Sequence, residues 1–532
     1  IKKRFENEGY GFLTVALPAL DEALIQGLAS GKFTCPDGFK TIKGGTIPRF
    51  LSGMFCEVFD PFSGTLKESP DEGVLKSLRE ILRLFKKTQL DSIGEDKLHE
   101  KAVAEFFRCD DVAHQVILPD RERHLIERVS MMILSSLNSG EVSKASYKHG
   151  PGAVEESYSV NQKWLALSES IKNDEFDLGT YGYDDFSVNL SDLSDRAIVE
   201  GSEVLNLSPN SGAPSRSARL ITVAKNSSSR RTITVEPMLN QFRQQGLNTL
   251  LREAILGCKV LRLCLKLTDQ SINQKLALEG SRYDNWATID LKSASDLLSV
   301  KLVESVFRRS PEFFRVMMDC RSTSVYCGEK ATKDLGKFAG MGNALTFPVQ
   351  SVCFAIVCIA AILDADGNSP SYWKCVRAAR CIRVYGDDII VKSQYAQQCV
   401  NWLHAVGLQV NVKKSFLTGN FKESCGVDAF KGVDITPLYC RFRPDQPSKD
   451  PKVIAGLVSL SNHMWLRGMY EASTCLREEV EERLGYSLPL VSRESGSLGW
   501  HTHLDAMTST RWCRRTQQHI TKAPVLVPLK RK

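Results

Sequence analysis

The chain has 532 residues, 42% of them hydrophobic, which allows several domains or subdomains and a sizeable core. Its 16 cysteines are scattered without repeated CxxC pairs and no signal peptide is visible, so we expect free thiols in a reducing cytosol. The net charge of +7 is modestly basic, and no stretch predicts a membrane span. Because the first residue is Ile1 rather than Met, we expect a processed, trimmed or incompletely read chain, from which an N-terminal element could be missing.

Residues 1 to about 200 mix helical patterns with loops that contain Gly, Pro and Ser. One helical stretch has an apolar stripe on one side and a basic face on the other. The pattern favours a solvated basic face, with contact to RNA or a partner as the alternative. The stripe consists of Val74, Leu78, Ile81, Leu82 and Phe85, and the basic face of Lys76, Arg79, Arg83, Lys86 and Lys87.

A basic loop lies between two β-patterned runs at residues 220–223 and 232–235. Lys225 offers a point charge, and Arg230 and Arg231 offer forked donors, the groups that commonly bind phosphate oxygens. A basic hairpin tip is more often only solvated, so the loop alone does not decide the matter.

A short apolar strand at residues 286–289 leads directly into Asp290. Farther along, the run CIRVYGDDIIV predicts a β-hairpin with Asp387 and Asp388 at its tip. If the two segments pack antiparallel, Asp290 and Asp387 come together. Carboxylate oxygens of this kind suit Mg²⁺, and two such ions can activate a hydroxyl and stabilise a leaving oxyanion. The alternative for Asp290 is a cap of the following helix, and for the tip an ordinary acidic turn.

A glycine-containing turn, GMGNALTF, lies between the two acidic sites. Gly342 permits a bend or a close approach, while Asn343 and Thr346 offer hydrogen-bonding groups. The uncharged run at 352–363 is far shorter than a membrane span and predicts a helix buried in the core.

The last part of the chain is basic. Residues 441–532 hold 15 Lys and Arg against 9 Asp and Glu, which suits a surface that follows a nucleic-acid backbone. After a Pro-, Asp- and Ser-rich linker at Pro444, helical patterning runs from Pro451 to about Leu484.

The order of these motifs resembles that of a right-hand polymerase. The chain is most similar to the RNA-dependent RNA polymerase, the replicase catalytic subunit, of the small positive-strand RNA bacteriophages (leviviruses). The resemblance runs from about residue 220 to 443. It is carried by Lys225-Asn226-Ser227 with Arg231, ATIDLKSASD, MGNALTF, VYGDDII, and FKESCG followed by GVDITP.

The resemblance implies a role for each matching residue. Asp290 and Asp387 would bridge two Mg²⁺ ions, with Mn²⁺ as a substitute, and Asp388 would lie in the outer part of the site. The remaining roles are as follows: Asp296 and Asn343 would sense the ribose 2′-hydroxyl, with Gly342 and Thr346 in the same nucleotide site; Lys225 and Arg231, helped by Arg230, would hold the triphosphate; and Lys413 or Lys414 would donate a proton to pyrophosphate.

The resemblance also implies an α+β fold with an antiparallel-sheet palm. The expected parts are an N-terminal region with fingers at 1–285 (basic hairpin at about 219–236), a palm at 286–440, and a helical thumb with a basic tail at 441–532. Expected partners are RNA, ribonucleoside triphosphates and, by family analogy, host translation elongation factors and a ribosomal protein, with no membrane. The expected location is the cytoplasm of an infected bacterium.

Two other functions stay open at this point. A reverse transcriptase would share the paired Asp turn, but Asn343 and Asp296 favour recognition of a ribose. A non-catalytic RNA-binding protein on a polymerase scaffold would not need the acids, all of which are present together with the basic loop.

Overall fold

A computed structural model describes residues 1–90, 95–134, 147–172, 217–328, 330–332, 334–443, 448–494, 496–502, 511–520 and 523–525, with single positions 137, 142 and 145. Within these residues helices and sheets are intermixed, which confirms the predicted α+β class. The α-helices are Lys2–Glu8, Leu17–Ser30, Ser52–Cys56, Glu72–Arg83, Glu95–Gln115, Asp120–Ile133, Val160–Lys172, Met238–Gly257, Lys259–Cys264, Ser271–Tyr283, Val300–Phe307, Pro311–Asp319, Thr346–Ala365, Tyr372–Ala379, Ala396–Ala405, Pro451–Leu466 and Tyr470–Leu484; a π-helix spans Phe12–Ala16 and a 3-10 helix Ser393–Tyr395.

The strands of the described chain form small sheets. The strands are β1 Ser217–Asn226, β2 Ser229–Val235, β3 Trp286–Ile289, β4 Leu291–Lys292, β5 Ser324–Cys327, β6 Lys330–Thr332, β7 Ile382–Tyr385, β8 Asp388–Lys392, β9 Gln409–Val410, β10 Phe421–Ser424, β11 Val427–Phe430, β12 Val433–Asp434, β13 Leu490–Val491, β14 Trp500–His501, β15 Arg511–Cys513 and β16 Gln518–Ile520. One sheet has the order β3, β8, β7, another the order β2, β1, β5, β6, and a third the order β10, β11, β12. The remaining strands form the pairs β4 with β9, β13 with β14, and β15 with β16.

The predicted hairpin and the strand before Asp290 lie in one antiparallel sheet. Strand β8 pairs with β7 through Tyr385 and Asp388, and with β3 through Ile289 and Ile389. The turn therefore consists of Gly386 and Asp387 alone. Gly386 has φ 64°, as a tight hairpin turn requires, whereas Asp387 is not among the residues with positive φ, so the glycine alone supplies the left-handed conformation of the turn.

A buried helix, Thr346–Ala365, supports this sheet. It has 20 residues, because it begins six residues before the apolar run 352–363 and ends two residues after it, so the helix, unlike the run, is long and apolar enough to cross a membrane by length and composition. The predicted core position is confirmed, since 94% of an apolar 18-residue stretch of this helix is buried inside the protein. Pro348 lies in the first turn, where backbone N–H groups have no helical partner in any case, and the helix continues past it.

A second helical stretch, Phe12–Ser30, is also long and apolar enough to cross a membrane by length and composition, and about half of it is buried. It packs in a hydrophobic cluster with the helix Glu72–Arg83 and with side chains near β10 to β12. The members from that later part are Phe416, Phe421, Phe430 and Ile435. The first 90 residues thus pack against a part of the chain more than 300 residues away.

The basic face of helix Glu72–Arg83 corrects a prediction. Arg79 is fully buried and Arg83 nearly so, and both form ion pairs with the buried Asp21. Arg79 Nη2 also donates to Asp428 at 2.5 Å. Two of the five predicted cations are therefore not solvated, because carboxylates from distant segments neutralise them inside the protein, whereas Lys76 is exposed as predicted.

The C-terminal part contains the predicted helices. Pro451–Leu466 and Tyr470–Leu484 pack together with Trp500 in a hydrophobic cluster of their own. The predicted linker falls partly on 444–447, outside the described residues. The division into three parts at 285 and 440 stays a prediction.

Candidate active site

Three carboxylates meet at one end of the sheet β3–β8–β7. Asp290 directly follows β3, Asp387 occupies the hairpin turn, and Asp388 begins β8. The strands are antiparallel and Ile289 pairs with Ile389. Asp290, one residue after Ile289, therefore comes opposite Asp388, one residue before Ile389. The predicted antiparallel packing of the two segments is confirmed, whereas the shared ion expected of Asp290 and Asp387 stays a prediction.

The helix Thr346–Ala365 fixes the hairpin tip. Ser351 Oγ accepts a hydrogen bond from the Gly386 N–H at 3.1 Å. A Cβ at Gly386 would lie 2.8 Å from the Phe347 ring, so only glycine fits between turn and helix. The tip that carries Asp387 is therefore held by both its backbone conformation and its packing.

Burial and mutual repulsion raise the pKa values of two of these acids. Burial raises the pKa of Asp388 to about 6, and the charges of Asp387 and Asp290 add to the rise. Burial also raises the pKa of Asp290, an effect that Lys414 opposes and Asp387 reinforces. Negative charge that is buried and partly uncompensated would be stabilised by a cation.

The donor set fits Mg²⁺ in its chemistry, since all three side chains offer hard oxygen atoms. Among the described residues, no group of three or more His, Cys, Asp or Glu side chains is placed so that it could hold a metal ion by itself. Magnesium commonly takes only one or two carboxylates and completes its shell with water and phosphate. The residues present therefore fit an ion that enters together with a phosphate-bearing ligand.

Asn411 and Ser415 surround Asp290. Asn411 Nδ2 donates to Asp290 Oδ2 at 2.8 Å, and the Ser415 hydroxyl accepts from the Asp290 N–H at 3.0 Å. Short pairing of β4 with β9 places this segment beside Asp290. No pattern in the sequence pointed to this role of Asn411, because the contact joins segments 121 residues apart.

The two adjacent lysines differ in their surroundings. Lys414 Nζ lies 3.8 Å from a carboxylate oxygen of Glu423, and Glu423 and Asp290 raise the pKa of Lys414 while burial lowers it. Both side chains are exposed, and the Lys413 carbonyl accepts a hydrogen bond from Gln26. Of the two candidates, it is Lys414 that shares the electrostatic environment of the acids.

The predicted basic hairpin is confirmed as β1 and β2, with Val223 opposite Arg231. Lys225 and Arg231 line one pocket of about 320 Å³. Burial lowers the pKa of Lys225, and the positive charge of Arg231 lowers it further. The negative charges of Asp290 and Asp387 raise this pKa, which indicates that the hairpin lies in the field of the acids.

Arg230 has a different environment from its neighbour. Its Nε and Nη2 donate to the Thr222 hydroxyl and carbonyl at 2.8 and 3.0 Å, and Glu95 lies 3.5 Å away. The guanidinium is thus engaged across the hairpin, and Arg230 is not among the described residues lining the pocket.

Asp296 lies in an ion pair inside the protein. Its carboxylate is 3.1 Å from Lys337 Nζ, and the Lys337 side chain is fully buried, with its ammonium over the Phe106 ring. Burial raises the pKa of Asp296 and Lys337 opposes the rise. No sequence pattern predicted that Lys337 would pair with Asp296, because the two residues lie 41 positions apart and Lys337 belongs to a loop without apolar periodicity.

The glycine turn packs against β2. Met341 O accepts the Thr234 N–H at 2.7 Å, and a Cβ at Gly342 would lie only 1.9 Å from the Thr234 carbonyl oxygen. Asn343 Oδ1 accepts the Leu345 N–H, and the Thr346 hydroxyl donates to Gly340 O. The turn therefore connects the basic hairpin to the start of the buried helix.

Comparison with known proteins supports one family. Residues 208–465 match the family described as RNA replicase, beta-chain. The RNA-directed RNA polymerase subunit beta of Enterobacteria phage SP is 37% identical over 227 residues, which are 42% of this chain and 36% of that protein. The protein of the same name from Escherichia virus Qbeta is 38% identical over 232 residues, 43% of this chain and 36% of that one. The matched part thus spans little more than a third of these relatives.

Solved structures with a similar course of the chain are more distant. A human picorbirnavirus RNA-dependent RNA polymerase with a deleted insertion loop has a TM-score of 0.42 at 10% identity, over 77% of this chain and 80% of that one. A structure described as an RdRp complex has a TM-score of 0.40 at 11% identity, over 72% of this chain and 34% of that one.

Proposed function

Because residues 208–465 match the RNA replicase beta-chain family, as the motifs predicted, we propose that the chain performs template-directed RNA synthesis from ribonucleoside triphosphates on an RNA template. The observation that carries the proposal is the position of Asp290, Asp387 and Asp388 at one end of the sheet β3–β8–β7. The charges of Asp290 and Asp387 also raise the pKa of Lys225 in the basic hairpin. In a phage this activity would replicate the genome.

The acids would hold the divalent ions. Asp290 and Asp387 would be the principal ligands and Asp388 an outer one, and bound Mg²⁺ would supply Lewis-acid activation of a hydroxyl and charge neutralisation on pyrophosphate. The hydrogen bond from Asn411 and the bond between Gly386 and Ser351 orient two of the ligand-bearing segments. Little covalent chemistry is required of the protein, so orientation and charge dominate.

The cations beside the acids would manage the phosphates. Lys225 and Arg231 would bind the triphosphate, whereas the contacts of Arg230 favour a structural role in the hairpin. Lys414, protonated and near Asp290, would give a proton to the departing pyrophosphate. Lys413 would not share that role.

Recognition of the ribose would fall to Asp296 and Asn343. Lys337 would orient Asp296, and the hydrogen bond from the Leu345 N–H would orient Asn343, while Gly342 and Thr346 would keep the turn against β2. Base selection would come from pairing with the template, so the protein need recognise only shape and sugar.

The relatives are named as a beta subunit or chain, which supports a protein that works in a complex. By the family resemblance, the partners would be host translation elongation factors and a ribosomal protein, and the location the cytoplasm of the infected bacterium.

The test is nucleotide incorporation by the purified chain with Mg²⁺, four ribonucleotides and a short RNA. We expect a labelled complementary product, which Asp387→Asn abolishes while RNA binding stays nearly intact. Asp111→Asn, an exposed acid outside the site, is the matched control. Unchanged synthesis by Asp387→Asn would overturn the assignment, and preference for deoxynucleotides would indicate a reverse transcriptase instead.

A further inference from the structure

A pocket of about 320 Å³ lies beside the basic hairpin, and only part of its lining comes from that hairpin. Lys225, Asn226 and Arg231 line one side, and Lys87, Gln89 and Arg441 line the other. Lys87 lies outside residues 208–465, the part that matches a known family.

Backbone hydrogen bonds join the two segments that bring Lys87 and Arg441 together. The Gln89 N–H donates to Arg441 O at 2.9 Å, and the Cys440 N–H donates to Leu84 O at 2.7 Å. The Thr88 hydroxyl, fully buried, donates to Cys440 O at 2.9 Å. The two cations are therefore held next to each other by an ordered structure and do not meet by chance at the surface.

The pocket concentrates positive charge. Four of the eight described residues that line it are Lys or Arg, and none of the eight is acidic. Burial lowers the pKa of Lys87, and the neighbouring Arg441 lowers it further. Cations that repel one another at a partly buried site are stabilised by a bound anion.

The two sides of the pocket differ in their charged neighbours. The charges of Asp290 and Asp387 raise the pKa of Lys225. Lys87 instead contacts the Tyr439 ring, 3.8 Å from its centroid, and lies near Arg83 and Lys86. A ligand that occupies the whole pocket would thus contact Lys225 and Arg231 of the hairpin at one side and Lys87 and Arg441 at the other.

We propose that Lys87 and Arg441 form the outer half of a site for the oligophosphate chain of a nucleoside triphosphate, with Lys225 and Arg231 as its inner half. This inference rests on the proposed function, and it adds that the N-terminal region contributes directly to the nucleotide site. A bounded pocket with clustered cations fits a compact polyanion better than an RNA backbone, which needs charges spaced along an open groove.

The experiment measures binding of inorganic tripolyphosphate to the full chain by calorimetry, without added metal. We expect Lys87→Gln and Arg441→Gln each to weaken binding by about tenfold, since each removes a charge-assisted hydrogen bond. Lys87→Arg should retain most of the affinity. Lys76→Gln, on the helix Glu72–Arg83 that precedes Lys87, and Arg443→Gln, two residues beyond Arg441, are the matched controls, because neither residue lines the pocket.

Unchanged affinity in both variants, or no binding by the unmodified chain, would overturn the proposal. So would weaker binding of a short single-stranded RNA with unchanged tripolyphosphate binding, since that result would assign the cations to RNA. Thermal melting of each variant shows whether the fold is retained, and the Lys87→Arg variant tests the charge even if Lys87→Gln is unstable. Should tripolyphosphate bind as expected while the chain incorporates no nucleotides, the phosphate site would stand and the proposed polymerase activity would fail.

Discussion

Asn411 contacts Asp290 through both its side chain and its backbone. Its Nδ2 donates to Asp290 Oδ2 at 2.8 Å, and its N–H donates to the Asp290 carbonyl at 2.8 Å. The side-chain bond fixes the rotation of the carboxylate and leaves its other oxygen available. An amide in this position therefore orients a metal-ligand candidate without adding charge to the site.

We predict that Asn411→Ala lowers both Mg²⁺ affinity and the rate of nucleotide addition by about ten- to a hundredfold, the usual effect of losing a group that orients a ligand. The measurement is the Mg²⁺ dependence of incorporation. Asn401→Ala, an exposed amide on the helix Ala396–Ala405, serves as the control. An Mg²⁺ dependence identical to that of the unmodified chain would contradict the role.

The neighbouring lysines make a second matched pair. Lys414→Gln should slow single-turnover addition by about a hundredfold, because it removes the protonated group beside Asp290 and Glu423, whereas Lys413→Gln should change it little. The comparison is made at saturating nucleotide, so that weaker binding does not mimic slower chemistry. Equal slowing by both substitutions would show that the surroundings of the two side chains do not decide their roles.

Local patterns in the sequence were sufficient to predict the hairpin at Asp387, the strand before Asp290 and the basic hairpin. In each case the alternation of apolar residues and the turn residues lie within about ten positions. The pairing of the strand before Asp290 with the hairpin did not follow from these local patterns, since the two segments lie about 100 residues apart; it was expected only on the condition that they pack antiparallel.

Contacts between distant segments could not be predicted in this way. Lys337 pairs with Asp296, and Lys87 lies beside Arg441, only because separate elements pack together. The helix Glu72–Arg83 shows the limit most clearly: its amphipathic pattern is the same whether Arg79 faces water or Asp21 and Asp428. A charge pattern on one helix does not reveal which carboxylates the rest of the chain brings to it.

Gly342 should tolerate no side chain. Its φ is 133° and a Cβ would overlap the Thr234 carbonyl oxygen, so Gly342→Ala should cost at least about 3 kcal/mol of stability and displace the turn. Gly367→Ala is the control for conformation alone, since Gly367 also has positive φ but nothing lies within 4 Å of its Cβ; it should cost about 1 kcal/mol. Urea unfolding midpoints measure both, and equal costs would refute the close contact.

Arg79 should be required for stability because it compensates two buried carboxylates. Arg79→Met leaves Asp428 without its 2.5 Å partner and Asp21 with Arg83 alone, so we expect a loss of about 3–5 kcal/mol. Adding Asp428→Asn should recover part of the loss. Lys76→Met, on the exposed side of the same helix, should change the unfolding midpoint little. If Arg79→Met behaves like that control, the cluster does not contribute as its burial indicates.

His149 should make stability depend on pH. Its ring packs edge-on against Trp164 and beside Phe242, and burial, together with Lys163, lowers its pKa to about 4. In the unfolded chain the imidazole binds a proton below about pH 6.5, whereas in the folded protein it does so only near pH 4. The unfolded state therefore binds more protons within this window, and stability falls as the pH falls from 6.5 to 4, by roughly 3 kcal/mol in total.

His149→Phe keeps an aromatic ring in this place and removes the proton-binding group. Its melting temperature relative to the unmodified chain should rise steadily as the pH is lowered from 6.5 to 4 and should be constant above pH 7, where the imidazole is neutral in both states. His124→Phe, at an exposed position, should show a difference that does not vary with pH. A His149→Phe difference that is also flat across this range would mean that the ring is protonated as readily in the folded protein as in the unfolded chain.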